Sequence, residues 1–305
     1  MNITGKLICV TVLVFHVSFA FGQALPVVNI DTDPKTVSIG FADIVSDNME
    51  SAVFGNPAAM SFSDFKVAAA GSYCYWQPDA IKEHRSFLSG SYKVNDRWAV
   101  AAGLANGVGC SYDMYGKDAE FIGKFTPLNL HFKVGASCKL LPYLSFGMNV
   151  GFVDNIMAPE YANMAFLADL FVMSSVHDFK IVVGARNLGV AWTDSGTMLD
   201  NLPFAVSAGA SYGKSFHDSH GVGVYAQYDF MGADAMSTSL GASYSYRNFI
   251  SLRTGGRIGF GKVPSMMSVG CGVTLKPVEF NLAYILPVQG TALSNTVCVS
   301  IVYMI

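Results

Sequence analysis

Charge is what this chain has least of. Asp, Glu, Lys and Arg together make up 13% of its 305 residues, about half the share found in an ordinary soluble domain. Most of such a surface cannot be wet. Long apolar runs are also missing beyond the first two dozen positions, so helical spans are excluded as the source of the 51% hydrophobic content. The net charge is −3 and no basic cluster is present to track a phosphate backbone, which argues against nucleic acid as a partner. There is no CxxC and no Cys/His spacing suited to a metal. His177 and His217 stand next to Asp178 and Asp218 at expected strand ends, where they read as turn residues. The expectation is a protein that is not an enzyme and carries no cofactor.

What is present begins with the three parts of a secretory signal. Lys6 gives the positive charge, Leu7 to Phe21 the apolar stretch and Ala20-Phe21-Gly22 a small-x-small site, so cleavage is expected near Gly22 or Gln23. The chain then divides into a signal peptide over 1–22, an N-terminal segment over 23–65 and a β domain over 66–305. Removing the signal leaves Cys74, Cys110, Cys138, Cys271 and Cys298. Most of this odd set are expected to be free thiols acting as small apolar groups.

From about Lys66 the hydrophobic period is two, not 3.6. In the stretch 143–153, Leu144, Phe146, Met148, Val150 and Phe152 alternate with Ser145, Gly147, Asn149 and Gly151. The same division recurs in 203–213 and 267–275. Strand lysines and arginines fall on the small, polar face: Lys133 and Lys139 lie opposite Leu130, Phe132 and Val134, and Arg253 and Arg257 opposite Ile250, Leu252 and Ile258. A lipid-facing lysine or arginine at mid-membrane costs about 2 to 4 kcal/mol. The placement therefore fits a transmembrane barrel with its apolar face in lipid and its polar face in the lumen. A soluble sandwich would instead carry Lys, Glu and Asp on its second face.

Candidate strands number about fourteen: 66–76, 86–94, 97–105, 128–140, 142–153, 163–176, 178–188, 203–213, 220–230, 238–247, 249–260, 266–275, 278–286 and 295–304. The fold expected is all-β, an antiparallel transmembrane barrel in a Gram-negative outer membrane.

Between Val37 and Phe65 the alternation stops. Ile39, Phe41, Ala42, Ile44 and Val45, then Met49, Ala52 and Val53, have a mixed helical spacing, broken at Gly55-Asn56-Pro57. This predicts two short helical turns about an Asn-Pro break, forming a plug in the lumen. Arg186, Asn187, Arg253 and Arg257 are all expected to point inward. Buried guanidinium groups would pair there with plug carboxylates such as Asp43, Asp47 or Glu50.

Asn56-Pro57-Ala58-Ala59, placed after a signal and an apolar-acidic segment, resembles the PorV/PorQ family of Bacteroidota outer-membrane proteins. Arg186-Asn187-Leu188-Gly189, Leu202-Pro203, Gly209-Ala210-Ser211-Tyr212, Leu252-Arg253-Thr254-Gly255-Gly256 and Leu282-Ala283-Tyr284 follow in matching order. The chain departs from the pattern at Gly55, at Ser38-Ile39-Gly40 and at the terminal Ile305. The resemblance implies a fourteen-stranded barrel with an N-terminal plug, working in type IX secretion by docking secretion proteins or carrying secreted cargo. PorV/PorQ proteins are themselves similar to long-chain fatty-acid transporters. That kinship gives the alternative expectation, a transporter for small hydrophobic molecules, with Phe41, Ile44, Met49 and Phe54 lining a pocket.

Overall fold

The computed structural model describes residues 25–30, 32–199, 202–217, 219–232, 235–288 and 291–305. The expected signal peptide lies outside them. The strands are β1 (Val67–Trp76), β2 (Glu83–Lys93), β3 (Trp98–Val108), β4 (Tyr112–Tyr115), β5 (Phe121–Phe125), β6 (Leu128–Leu141), β7 (Leu144–Ala158), β8 (Tyr161–Val176) and β9 (Phe179–Thr193). They continue as β10 (Ala205–Phe216), β11 (His220–Phe230), β12 (Ala235–Tyr246), β13 (Ile250–Gly261), β14 (Met266–Leu275), β15 (Val278–Ile285) and β16 (Val297–Met304). Fourteen of them close into one antiparallel barrel, with β1 pairing β16 to seal the ring. The remaining two, β4 and β5, form a separate hairpin within the connection from β3 to β6.

The alternation in sequence is an alternation in environment. Along β7, Phe146, Met148 and Val150 are exposed on the outer face, whereas Ser145 and Asn149 are fully buried on the inner one. Leu88 is 68% exposed and Lys133 only 3%, the inverse of a soluble protein. Every backbone polar group of the wall is available to a neighbouring strand because the ring has no edge, which is what hydrocarbon surroundings demand. An apolar exterior closed around a polar interior is the architecture of outer-membrane proteins, and this chain is an outer-membrane β-barrel.

The two rims differ. Connections at 94–97, 142–143, 177–178, 217–219, 247–249 and 276–277 are short. At the opposite rim, 77–82, 109–127, 194–204 and 286–296 are longer. Short turns face the periplasm in such barrels and long loops face outward.

The N-terminal segment lies inside the ring. A Cβ added at the inward glycines Gly103, Gly147, Gly209, Gly241 and Gly270 would meet Phe54, Ala58, Val45, Ile39 and Ser38 respectively, so strands all round the barrel touch it. Its conformation departs from the expected helical plug. Among the described residues of the segment only Pro34–Ser38, here α1, is α-helical, with short 3-10 stretches at Pro26–Asn29, Met49–Ser51 and Pro57–Phe62. Along the segment the wall supplies hydrogen bonds of the kind a continuous helix would have made for itself. Ser268 donates to the Val37 carbonyl, Ser91 to Met49, Ser89 to Glu50 and Ser145 to Ala58, while Ile44 N–H donates to Gln227.

The five cysteines divide three to two. Cys110, Cys138 and Cys271 are free, but Cys74 and Cys298 form a disulfide. They lie 224 residues apart in sequence and directly opposite each other across the β1–β16 seam. Their proximity exists only once the ring closes.

Candidate functional site: the occupied lumen

The lumen is organised by buried charge. Arg186 on β9 donates from Nη1 to Asp43 of the N-terminal segment and from Nη2 to Asp229 on β11, both at 2.7 Å. Gln227 donates to Asp43 at 2.7 Å, and Ser207 donates to Asp229 at 2.5 Å. One guanidinium thus joins a wall carboxylate to a segment carboxylate, with neighbouring donors satisfying the remaining oxygens.

Asn187 is inward too, at 3% exposure. Two consecutive residues cannot share a face on a regular strand, and here β9 is not regular. The β8–β9 register shifts between Ala168 and Leu170, leaving Arg186 and Asn187 opposite Asp169. Asn187 has φ of 57°, and its N–H donates to Asp169 Oδ1 at 2.8 Å. Lys133 donates to the other oxygen at 2.6 Å. This is a β-bulge whose unpaired backbone is completed by a side chain. Beyond it the facing of β9 is reversed: Val182 and Gly184 are inward before it and Ala191 after it.

Arg253 pairs within the wall and not with the segment, donating to Asn281 at 2.9 Å and to Glu279 at 3.3 Å. Lys35 of α1 occupies the position expected of Arg253 as the cation joining segment and wall. It reaches Glu50 at 2.7 Å and Glu279 at 2.9 Å. Burial opposes the Lys35 ammonium, but Glu50, Glu279 and Asp33 more than reverse this and hold its pKa above the ordinary lysine value. Burial pushes the Glu50 carboxyl up against the pull of Lys35. Asp47 pairs with Lys180 on β9. Arg257 takes an aromatic partner: its guanidinium stacks 4.7 Å from the Phe41 ring centre, and its Nε donates to the Pro264 carbonyl.

Asn56 and Pro57 act on the backbone. Asn56 accepts from Ala58 N–H and donates to the Ile44 carbonyl at 2.8 Å, with Pro57 at the first position of the 3-10 turn. The pair fixes the return of the segment toward β1.

Apolar groups divide by level. At the loop-side end, Phe41 packs with Trp76, Met266, Ile285 and Leu293 beside the disulfide. A second loop-side cluster joins Leu25 and Val28 to Val153, Leu167 and Leu202. Toward the turns the lumen opens into a cavity of about 510 Å³ whose lining includes Lys35, Asp47, Glu50, Lys180, Tyr225 and Arg253. Ile39, Phe62 and Met304 line it beside these charged groups. The four residues expected to line one apolar pocket are dispersed: Phe41 and Ile44 join different clusters, Met49 packs with Met60, and Phe54 lies against Phe87 and His131. Among the described residues no group of three or more His, Cys, Asp or Glu is placed to hold a metal.

No protein-family model matches the chain, and no curated protein matches it by sequence. Solved structures do match in shape. The Ralstonia pickettii toluene transporter TbuX aligns over 89% of this chain and 97% of its own at 12% identity, with a TM-score of 0.59. The Pseudomonas putida toluene transporter TodX aligns over 88% and 95% at 13% identity, TM-score 0.58. A Pseudomonas aeruginosa FadL homologue aligns over 89% and 98% at 13% identity, TM-score 0.52. At such identities the likeness is one of fold.

These findings overturn the PorV/PorQ resemblance and with it the type IX secretion role and its secretion partners. The fold is shared with hydrocarbon transporters, and the motifs that carried the resemblance have local explanations. Asn56-Pro57 caps a turn, Arg186-Asn187 forms a bulge, and Gly255 sits where any Cβ would strike the backbone of Ile39 and Gly40. Such needs arise in any barrel that holds its own N-terminal segment, whatever its family.

Proposed function

We propose that the barrel admits small hydrophobic molecules, aromatic hydrocarbons or fatty acids, through the outer membrane. The observation that carries this reading is the pair of apolar clusters at the loop-side end of the lumen, each built jointly from the wall and the N-terminal segment. An apolar solute leaving water gains about 25 cal/mol for each Å² it buries, and these clusters are the lumenal surfaces nearest the external rim on which it can do so. The segment over 23–65 is the plug in this account. Asp43, Asn56 and Pro57 hold its path, Arg186 and Asn187 anchor it from β9, Arg257 steadies Phe41, and Arg253 positions Glu279 for Lys35. The fold relatives TbuX and TodX, both toluene transporters, support the choice of solute class.

Uptake of radiolabelled toluene and of oleate at limiting concentration, in cells with and without the protein, tests the proposal. Slower uptake of at least one of the two without the protein, restored by the intact chain, is the expected result. Identical uptake of both solutes would overturn it.

A further inference from the structure

The lipid-facing surface carries a cationic and aromatic patch at its turn-side rim. Lys214, near the end of β10, is the only lysine or arginine among the described residues that occupies an outward position on a barrel strand; others, such as Lys133, Lys180 and Arg253, alternate inward. Register places Lys214 opposite Val222 and Phe216 opposite His220, and on the next strand Val222 opposite Tyr244 and His220 opposite Tyr246. Arg247 follows directly in the turn to β13. These side chains form one continuous exposed surface.

Each cationic or protonatable group in it is held by a ring. Lys214 Nζ lies 5.5 Å from the Phe216 ring centre, and the Arg247 guanidinium 5.3 Å from that of Tyr246. His220 Nδ1 shares a 2.7 Å hydrogen bond with the Tyr244 hydroxyl, and the imidazole lies 5.3 Å from Tyr246. In the tautomer where Tyr244 donates to Nδ1, Nε2–H is left as the outward donor. Among the described residues no carboxylate lies within ion-pair distance of Lys214 or Arg247.

We infer that this patch binds the phosphodiester of an anionic phospholipid in the periplasmic leaflet. Three features converge on that occupant. The patch lies on the face that meets lipid and at the rim of short turns, where headgroups stand. Its tyrosines are of the type that settles at headgroup level. Its Lys, Arg and His supply a point charge, a planar fork and a further donor to a group whose charge is shared over two oxygens. Basic clusters beside a membrane attract anionic headgroups by an amount equivalent to about a fivefold gain in binding for each cation.

Native mass spectrometry of the full-length barrel in mild detergent, with phosphatidylglycerol or phosphatidylcholine added, tests the inference. Both lipids carry the phosphodiester, but only the first is anionic. The wild type is expected to retain phosphatidylglycerol preferentially, K214Q and R247Q each to lower that preference about fivefold, and K214R/R247K to keep it. Absence of preference in the wild type overturns the inference. So does a preference that survives in K214Q/R247Q with heat-modifiable migration, the sign of a folded barrel, intact. Should the double variant fail to assemble, the two single variants are read in the same way.

Discussion

Arg186 shows how much of this lumen depends on one side chain. Its removal would leave Asp43 and Asp229 without their ion-pair partner in a buried setting, and breaking such a pair from one side costs about 3 to 5 kcal/mol. Arg186→Ala is therefore expected to lower the urea midpoint of the detergent-solubilised barrel by that equivalent. Arg186→Lys should recover only part of the loss, since a single ammonium cannot reproduce the planar fork. An unchanged midpoint in the alanine variant would mean that the two carboxylates are hydrated and the pairing is incidental. Gly40 is constrained differently. It has φ of 77°, and any Cβ there would lie 2.6 Å from the Gly256 carbonyl oxygen, so the turn leaving α1 can approach β13 only through a glycine.

At the scale of elements, the β9 bulge determines which way the rest of that strand faces. Deleting Asn187 would restore a period of two and leave the following residues facing as they do now, Leu188 and Val190 toward the lipid and Ala191 toward the lumen. The deletion variant is expected to assemble with heat-modifiable migration intact but to unfold at a lower urea midpoint, because buried Asp169 loses the Asn187 N–H. A deletion variant that accumulates unassembled would show that the bulge itself, and not only the facing of the strand, is needed for assembly. Replacing Asn187 with Gly, which accepts the positive φ, should assemble, although it gives up the side-chain bond to the Pro203 carbonyl.

The strands were legible for a simple reason. Lipid on one face and a packed lumen on the other enforce alternation at every level of the wall, and each expected strand lies on one of the fourteen found. The β4–β5 hairpin escaped because Tyr112–Tyr115 and Phe121–Phe125 stand clear of the bilayer, where no such rule applies. The N-terminal segment was misread because its apolar residues pack in several directions at once, as Ile39 and Phe41 do in separate clusters, so their spacing carries no helical meaning. The inward placement of both Arg186 and Asn187 implied a bulge, yet their true partners were hidden. Asp169 is brought to Asn187 only by the bulge itself, and Lys35 meets Glu279 only when the segment is inside the ring.

For the whole molecule the seam is the decisive place. β1 and β16 bring the two ends of the barrel sequence together, and the Cys74–Cys298 disulfide makes the ring covalent at that point. A cross-link closing so long a stretch of chain restricts the unfolded ensemble strongly, by up to about 5 kcal/mol in the loop-entropy account. C74S/C298S is expected to assemble, since the seam keeps its full backbone ladder, but to unfold at a lower urea midpoint than the oxidised wild type and to show no further change on adding reductant. Equal midpoints for the variant and the oxidised wild type would count against a stabilising role for the cross-link.

The hydrogen bonds from wall serines to the carbonyls of the N-terminal segment have a consequence for descent. Ser268, Ser91, Ser89 and Ser145 come from different strands, and each meets one particular carbonyl. A single-residue insertion in the segment would put most of these contacts out of step together. Segment and ring must therefore be inherited as a matched pair, and chimaeras that exchange one without the other should be rare survivors.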